Sequence, residues 1–309
     1  GSEMCIRDSP LTEGRAKPLL RILDKTLLER VVECVPEDLV DRVVVAAGYG
    51  VDEIVQFSES ASAPYDILLS VESEPLGTGG AVAHAVPMLT GTGPVIILNG
   101  DLISSVDVRS LLSHHQKTDA SATLSLWKVE DPSRFGVCDL DDSGMIRRFQ
   151  EKPERGKEFS NLINAGCSIV ERSILNSLPT GKFSMEREVF PDIAESGSMA
   201  GLVFEGYFVD AGTPSSFIQA ASACILNNRF STGRREGNNW FGEGSVSEGL
   251  VENCSIGPGA TVSHGARLSD SVVLEDAHIG EGVTLNSCIV GRGASVPAYS
   301  DVSNKIIAD

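Results

Sequence analysis

The sequence predicts an α/β fold with a mainly parallel sheet, followed at its C-terminal end by a short coil of parallel strands. Three observations predict it. Short aliphatic and β-branched runs alternate with stretches of helical period through the first two thirds of the chain. One of these runs, Val95-Ile96-Ile97-Leu98, ends in Asn99-Gly100-Asp101. It reads as a strand buried on both faces that delivers a carboxylate into the crevice where open α/β sheets bind ligands. From Ile256 onward aliphatic residues recur at six-residue spacing, which a helix cannot keep on one face.

Composition narrows the function. The 309 residues carry a formal net charge of −18, which argues against nucleic-acid and membrane-surface partners. A phosphate site would have to be built locally from a few Lys, Arg, backbone N–H groups or a metal ion. The seven Cys are odd in number and none are spaced C-x-x-C, so reduced thiols in a cytoplasmic protein are expected. No apolar run approaches the roughly 18 residues of a membrane span, and no signal peptide is visible. Residues 1–9 lack periodicity, and Gly1-Ser2 resembles a cloning scar.

Taken in order, residues 10–20 are a Pro- and Gly-punctuated loop holding Lys17, which by itself is one more solvated lysine. Helical spacing follows over 26–34, then a strand at 43–48, a helix over 51–57 and a strand at 67–69. Glu74-Pro75-Leu76-Gly77-Thr78-Gly79-Gly80 is a Gly-rich loop opening a helix over 81–89. It offers either a bare backbone and an anion-friendly helix N-terminus or a plain turn. Asp101 is either a Mg²⁺-holding carboxylate or the cap of the next helix, over 106–116. His114-His115 on that helix face apart, as surface residues do. Residues 122–127 alternate like a half-exposed strand, and 135–140 with 144–149 form a hairpin. Glu151-Lys152-Pro153 is a carboxylate and an ammonium held extended before a proline, or a surface ion pair. A strand at 162–170 contains Asn164. Ser184 caps a helix over 186–194, and a strand over 202–210 ends in Asp210 before Thr213-Pro214 starts another helix to about 227.

The tail divides into three 17-residue lines, IGPGATVSHGARLSDSV, VLEDAHIGEGVTLNSCI and VGRGASVPAYSDVSNKI. Aliphatics stand at line positions 1, 7, 13 and 17, and Ala260, Ala277 and Ala294 share position 5. A three-sided coil of short parallel strands satisfies this spacing. It resembles the hexapeptide repeats of left-handed parallel β-helices, with 246–251 as a looser first coil. Acyltransferases of that build use a coil-corner His, so His264 and His278 come into view, but three coils are few for such an enzyme.

The motifs PLTEGRAKPLL, EPLGTGGAV, LNGD, FGV, EKP, NAG, EREVFP and VDAGTP, in this order and ahead of the coil, resemble the sugar-1-phosphate nucleotidylyltransferases. Among them the architecture is most similar to the mannose-1-phosphate guanylyltransferases that carry a C-terminal β-helix. The resemblance implies a Rossmann-like nucleotide-diphospho-sugar transferase fold, with that domain at 1–230, a linker at 231–245 and the β-helix at 246–309. It implies transfer of a nucleotidyl group from an NTP, first GTP, to a sugar 1-phosphate, first mannose 1-phosphate, with release of pyrophosphate. Glucose 1-phosphate with UTP or dTTP, and a non-catalytic subunit that binds NDP-sugar, are the alternatives.

By the resemblance, Asp101 and Asp210 hold Mg²⁺, Lys17 contacts the nucleotide phosphates and Lys152 the sugar phosphate. Glu74, Leu76, Gly77, Thr78, Gly79, Asn99 and Gly100 receive the nucleotide, and Gly136, Glu151 and Asn164 the sugar. A homo-oligomer formed through the coil is implied as well. The family's first strand and its G-G-x-G-T-R-L-R loop are not matched, since the chain enters the pattern at Pro10. An N-terminal truncation is therefore expected, and Arg7 stands at the position of the family's catalytic arginine among neighbours that do not match.

Overall fold

The computed structural model describes residues 10–12, 16–48, 50–60 and 64–308; Arg7 and the rest of 1–9 lie outside them. The chain forms two compact units, one made of Val32–Phe208 and one made of the residues up to Val31 together with Val209–Asp309.

The first unit begins with the parallel pair β3 (Arg42–Ala47) and β4 (Asp66–Val71), joined through α2 (Val51–Ser60). Then follow α3 (Gly77–Ala85), β5 (Val95–Leu98), β6 (Leu102–Ser104) and α4 (Val108–Thr118). The main sheet is built from β7 (Ala122–Lys128), β8 (Gly136–Leu140), β9 (Ile146–Glu151), β10 (Leu162–Val170) and β11 (Met199–Val203), in the order β11-β7-β10-β8-β9, with β5 added beside β10. The helices α5 (Arg172–Asn176) and α6 (Phe190–Glu195) lie between β10 and β11 in sequence. Sequence-predicted 202–210 is two strands, β11 and β12 (Phe208–Asp210), interrupted by Gly206.

The α/β expectation holds, with parallel pairs β3–β4 and β7–β11. Around β10 the sheet is antiparallel: β10 pairs in that sense with β5, β7 and β8. This corrects the reading of β5 as a strand buried on both faces of a parallel sheet. Its four residues are half-buried, and among the described residues its partner is β10. Strand β10 also changes neighbours along its length. Its first residues pair with β8 (Ile163 with Val137), its last with β5 (Cys167 with Leu98), and its register against β7 shifts between Asn164 and Ser168. The sheet therefore opens at Gly166.

Two apolar layers sandwich this sheet. On one face Leu124, Leu126, Val170 and Phe149 pack with Phe190 and Ile193 of α6. On the other, Cys167 and Ile169 pack with Val108 and Leu111 of α4. The predicted half-exposed strand is instead fully covered from Ala122 to Leu126. Its polar residues tolerate burial because each is hydrogen-bonded. Thr123 Oγ1 meets His115 Nδ1 at 2.8 Å, and Ser125 Oγ accepts the Cys167 N–H at 3.2 Å. His115 is thus buried, not a surface residue, and its Nε2 lies 3.1 Å from Glu171 Oε1.

Helix α4 starts at Asp107, whose carboxylate accepts the Arg109 and Ser110 N–H groups at 3.0 and 3.3 Å. The Ser110 hydroxyl holds that carboxyl below its usual range, ahead of the two N–H groups and Arg109. Asp107→Ala is expected to cost about 1 kcal/mol, seen as a melting temperature lower by roughly 2–4 °C. Because the folded-state pKa is depressed, the stabilisation is present above the unfolded carboxyl value and is lost as pH falls from there through the folded one; the two melting curves should converge in acid.

In the second unit a hairpin, β1 (Arg21–Ile22) and β2 (Lys25–Thr26), leads into α1 (Leu27–Val32). The buried Arg30 donates to the Ile22 carbonyl and to Asp24. After β12, Thr213 and Ser216 form a capping box for α7 (Pro214–Leu226). The coil follows. Its strands stack in parallel at the 17-residue period, as in Ser255, Val272 and Ile289, and its interior is lined by Ile256, Val273 and Val290. Position 17 turns out to face outward: Val272 and Ile289 are 3% and 1% exposed, so this one side of the coil is buried on both faces. Outward residues on the other two sides, Leu250 at 65% and Val246 at 53%, are open. The expected linker at 231–245 contains a hairpin, Arg234–Glu236 with Asn239–Phe241, whose second strand pairs with Ser255–Ile256 and starts the coil. Trp240 makes it so: it is fully buried and donates Nε1–H to the Thr232 carbonyl at 3.1 Å.

Candidate functional site

Where β10 changes partner, two of the sequence motifs meet. The Asn99 N–H donates to the Gly166 carbonyl at 2.8 Å, and the Gly166 N–H donates to Asn164 Oδ1 at 3.0 Å. Asn99-Gly100-Asp101 turn the chain from β5 into β6, with Asn99 and Gly100 exposed and Asp101 half-buried. The capping alternative for Asp101 is removed, since Asp107 caps α4.

Gly136, Glu151 and Lys152 also come together. Gly136 pairs with Glu151 across β8–β9. A Cβ on Gly136 would stand 2.5 Å from the Phe149 ring and 3.1 Å from Glu151 Oε2, so only glycine leaves that carboxylate its place. Lys152 Nζ is 3.3 Å from Glu151 Oε1. The extended conformation expected for Lys152 is corrected: its φ is +46°, and its N–H donates to the Phe135 carbonyl at 2.9 Å, closing the end of the hairpin. A left-handed lysine is a strained arrangement of the kind that concentrates at functional sites. Nor is the pair an ordinary surface ion pair, because the Glu151 side chain is only 14% exposed. Burial pushes its carboxyl up, while the adjacent Lys152 ammonium pulls it down. Asn164 follows Ile163, which pairs with Val137, so it comes at the Gly136 end of β8.

The Gly-rich segment differs from its prediction. Helix α3 begins at Gly77, not 81. The Gly79 and Gly80 N–H groups donate to the Phe183 carbonyl at 3.0 and 3.3 Å, and the Phe183 N–H returns to the Leu76 carbonyl. A Cβ on Gly79 would collide with the Phe183 ring at 2.2 Å. These glycines therefore admit a neighbouring chain segment. The acid that holds this loop is Glu72, whose carboxylate accepts the Leu76 N–H at 3.0 Å, while Glu74 is exposed. Thr78 is bound to Glu186 of the EREVFP motif and to Met185 just before it, contacts that join positions 108 and 107 residues apart and leave no sequence spacing to read.

Lys17 and Asp210 belong to the other unit. Lys17 opens a short 3-10 turn, Lys17–Leu19. Asp210 is the exposed last residue of β12. His278 is bonded to Thr261 on the neighbouring coil at 2.6 Å.

Nucleotidyl transferases generally work with a divalent metal. Asp101 offers a hard carboxylate oxygen in the first unit, and Asp210 one in the second. Among the described residues no three His, Cys, Asp or Glu side chains gather into a closed cage. Mg²⁺ bound against phosphates needs only one or two carboxylates, with substrate oxygens and water completing the shell. Among the described residues no helix is long and apolar enough to cross a membrane.

Comparison with known proteins gives the family. The nucleotidyl transferase family model matches residues 7–226, and a GlmU-like C-terminal hexapeptide model matches 233–309. A probable mannose-1-phosphate guanylyltransferase 2 of Oryza sativa subsp. japonica is 32% identical, over 96% of this chain and 86% of that protein. The mannose-1-phosphate guanylyltransferase catalytic subunit beta of Danio rerio is 34% identical, over 96% and 85%. Among solved structures, HddC from Yersinia pseudotuberculosis complexed with GMP-PN superposes with a TM-score of 0.56 at 28% identity, covering 66% of this chain and 88% of that one. With one domain model over most of its length and relatives of this identity nearly end to end, the chain belongs to the nucleotidyl transferase family.

Proposed function

We propose that this protein transfers the guanylyl group of GTP to mannose 1-phosphate, giving GDP-mannose and pyrophosphate. The observation that carries the reading is the Gly136–Glu151–Lys152 cluster, an ammonium held in a strained backbone beside a half-buried carboxylate at an opening of the sheet. An ammonium there suits the phosphate of the acceptor, and the carboxylate suits its hydroxyls. The names of the relatives, and the HddC complex with GMP-PN, support guanine and mannose 1-phosphate over other pairs.

An oxygen of the sugar phosphate attacks the α-phosphorus of GTP, and pyrophosphate leaves. Both reactants are anions, so the chain's task is positioning and charge neutralisation. Lys152 holds the sugar phosphate; Gly136, Glu151 and Asn164 orient the sugar. Lys17 takes the nucleotide phosphates, and the 74–79 segment with Asn99 and Gly100 receives the base. Asp101 and Asp210 would hold Mg²⁺, which when bound spreads the charge of the transferring phosphate. The transferase part spans 1–230, the coil that Asn239–Phe241 starts serves self-association, and the protein is cytoplasmic.

Pyrophosphate release, measured for four NTPs against mannose 1-phosphate and glucose 1-phosphate, tests this. GTP with mannose 1-phosphate is expected to lead, with EDTA abolishing turnover and Mg²⁺ restoring it. GDP-mannose binding with no turnover in any pair would replace the catalytic reading by that of a sugar-nucleotide-binding subunit.

A further inference from the structure

The EREVFP motif has no part in the chemistry above, yet its first residue is hydrogen-bonded to the Gly-rich segment. Met185–Val189 is a π-turn, capped at its start by Ser184, whose hydroxyl accepts the Arg187 N–H. Such turns are rare and recur at functional places. Glu186 Oε2 accepts hydrogen bonds from Thr78 Oγ1 at 2.5 Å and from Ser184 Oγ at 2.8 Å. The Met185 N–H donates to the same Thr78 oxygen at 3.0 Å. Thr78, in the first turn of α3, is thus gripped by two consecutive residues of the π-turn.

The same turn packs against β9. We propose that Glu186 is a positioning residue that fastens the two halves of the candidate site to each other, Thr78 of α3 on one side and the Glu151–Lys152 pair at the end of β9 on the other. What the halves bind rests on the function proposed above. Two hydroxyls converge on one Glu186 oxygen, which an ionised acceptor satisfies better than a neutral one. The charge is felt at Glu151. Glu186 raises the Glu151 carboxyl and Arg187 lowers it, alongside burial, the largest influence, and Lys152 next in the chain. Adjacent residues of one turn therefore exert opposite pulls on the carboxylate that faces the sugar.

Two variants separate the parts of this role. Glu186→Gln keeps an acceptor for Thr78 and Ser184 but removes the charge; Glu186→Ala removes both. Glu151 is followed by carboxyl carbon NMR of glutamate-labelled chain, assigned with Glu151→Gln, and kinetics by pyrophosphate release. In Glu186→Gln the Glu151 midpoint should fall, since a raising charge is removed, the acid limb of kcat/KM for the sugar phosphate should move down with it, and KM for the NTP should stay within about twofold. In Glu186→Ala the same shift should come with a KM for the NTP raised about tenfold, the loss of one charge-assisted bond. An unmoved Glu151 midpoint in Glu186→Gln, or wild-type KM values in Glu186→Ala, overturns the proposal. Because the NMR midpoint needs no turnover, an inactive wild-type chain would count against the proposed function alone.

Discussion

Replacing Lys152 by Ala is expected to lower kcat/KM for the sugar phosphate by roughly 10²–10³-fold, the scale on which removal of one transition-state electrostatic partner is felt. The lysine side chain is 57% exposed, and it is paired with Glu151. With its ammonium end open to solvent, which screens the attraction, the lysine contributes roughly 0–1 kcal/mol to stability, so the melting temperature should hardly move. Activity and stability therefore separate at this residue, which would not happen if its role were structural. Lys152→Arg should restore little. A guanidinium is a broad planar fork where the ammonium is a compact charge, and its longer head would have to fit beside Glu151 from a backbone fixed at φ +46°. Loss should fall on the sugar phosphate, with KM for the NTP little changed. Equal loss for both substrates would show that Lys152 does not select the acceptor phosphate.

The particular residues show what can be read from a sequence and what cannot. The coil was legible because its period is a one-dimensional property: each aliphatic meets the same neighbour 17 residues on, as Ile256, Val273 and Val290 do. Position 17 was legible as aliphatic but not as outward-facing, since covering of the coil's outer side depends on other parts of the chain. The direction of β5 was hidden for a related reason. A short aliphatic strand has the same composition whichever way its neighbour runs, and that neighbour, β10, lies some 70 residues further on. Burial of His115 was missed because its partners, Thr123 and Glu171, come from two different strands' ends. At the candidate site, EKP and FGV were recognisable as motifs, and their meeting follows from hairpin pairing. The left-handed Lys152 opposes the usual preference of a residue before proline, and it holds through the Phe135 carbonyl, which no local rule supplies.

Gly166→Ala should be the most damaging small substitution in the first unit, and Gly100→Ala among the mildest, although both glycines lie in motifs beside Asn99. Gly166 has φ +71°, and an added Cβ would stand 1.9 Å from Leu102 Cδ1 and 2.9 Å from Asn99 Nδ2. Left-handed backbone at a non-glycine residue costs about 1–3 kcal/mol, or roughly 3–10 °C of melting temperature for a unit of this size. The two neighbours are side-chain ends and can give way, but in doing so they leave their places on either side of Asp101. Stability loss should therefore come with a loss of turnover larger than unfolding explains, and added Mg²⁺ should recover part of it if Asp101 has been displaced. At Gly100 the φ is not positive and nothing lies within 4 Å of an added Cβ. There the melting temperature should stay within about 1–2 °C, as for surface changes worth under ~0.5 kcal/mol, and any effect should appear in KM for the NTP. If Gly166→Ala melts like the wild type, β10 does not need its left-handed residue to open the sheet, and the joint between LNGD and NAG is looser than its 2.8 Å hydrogen bond indicates.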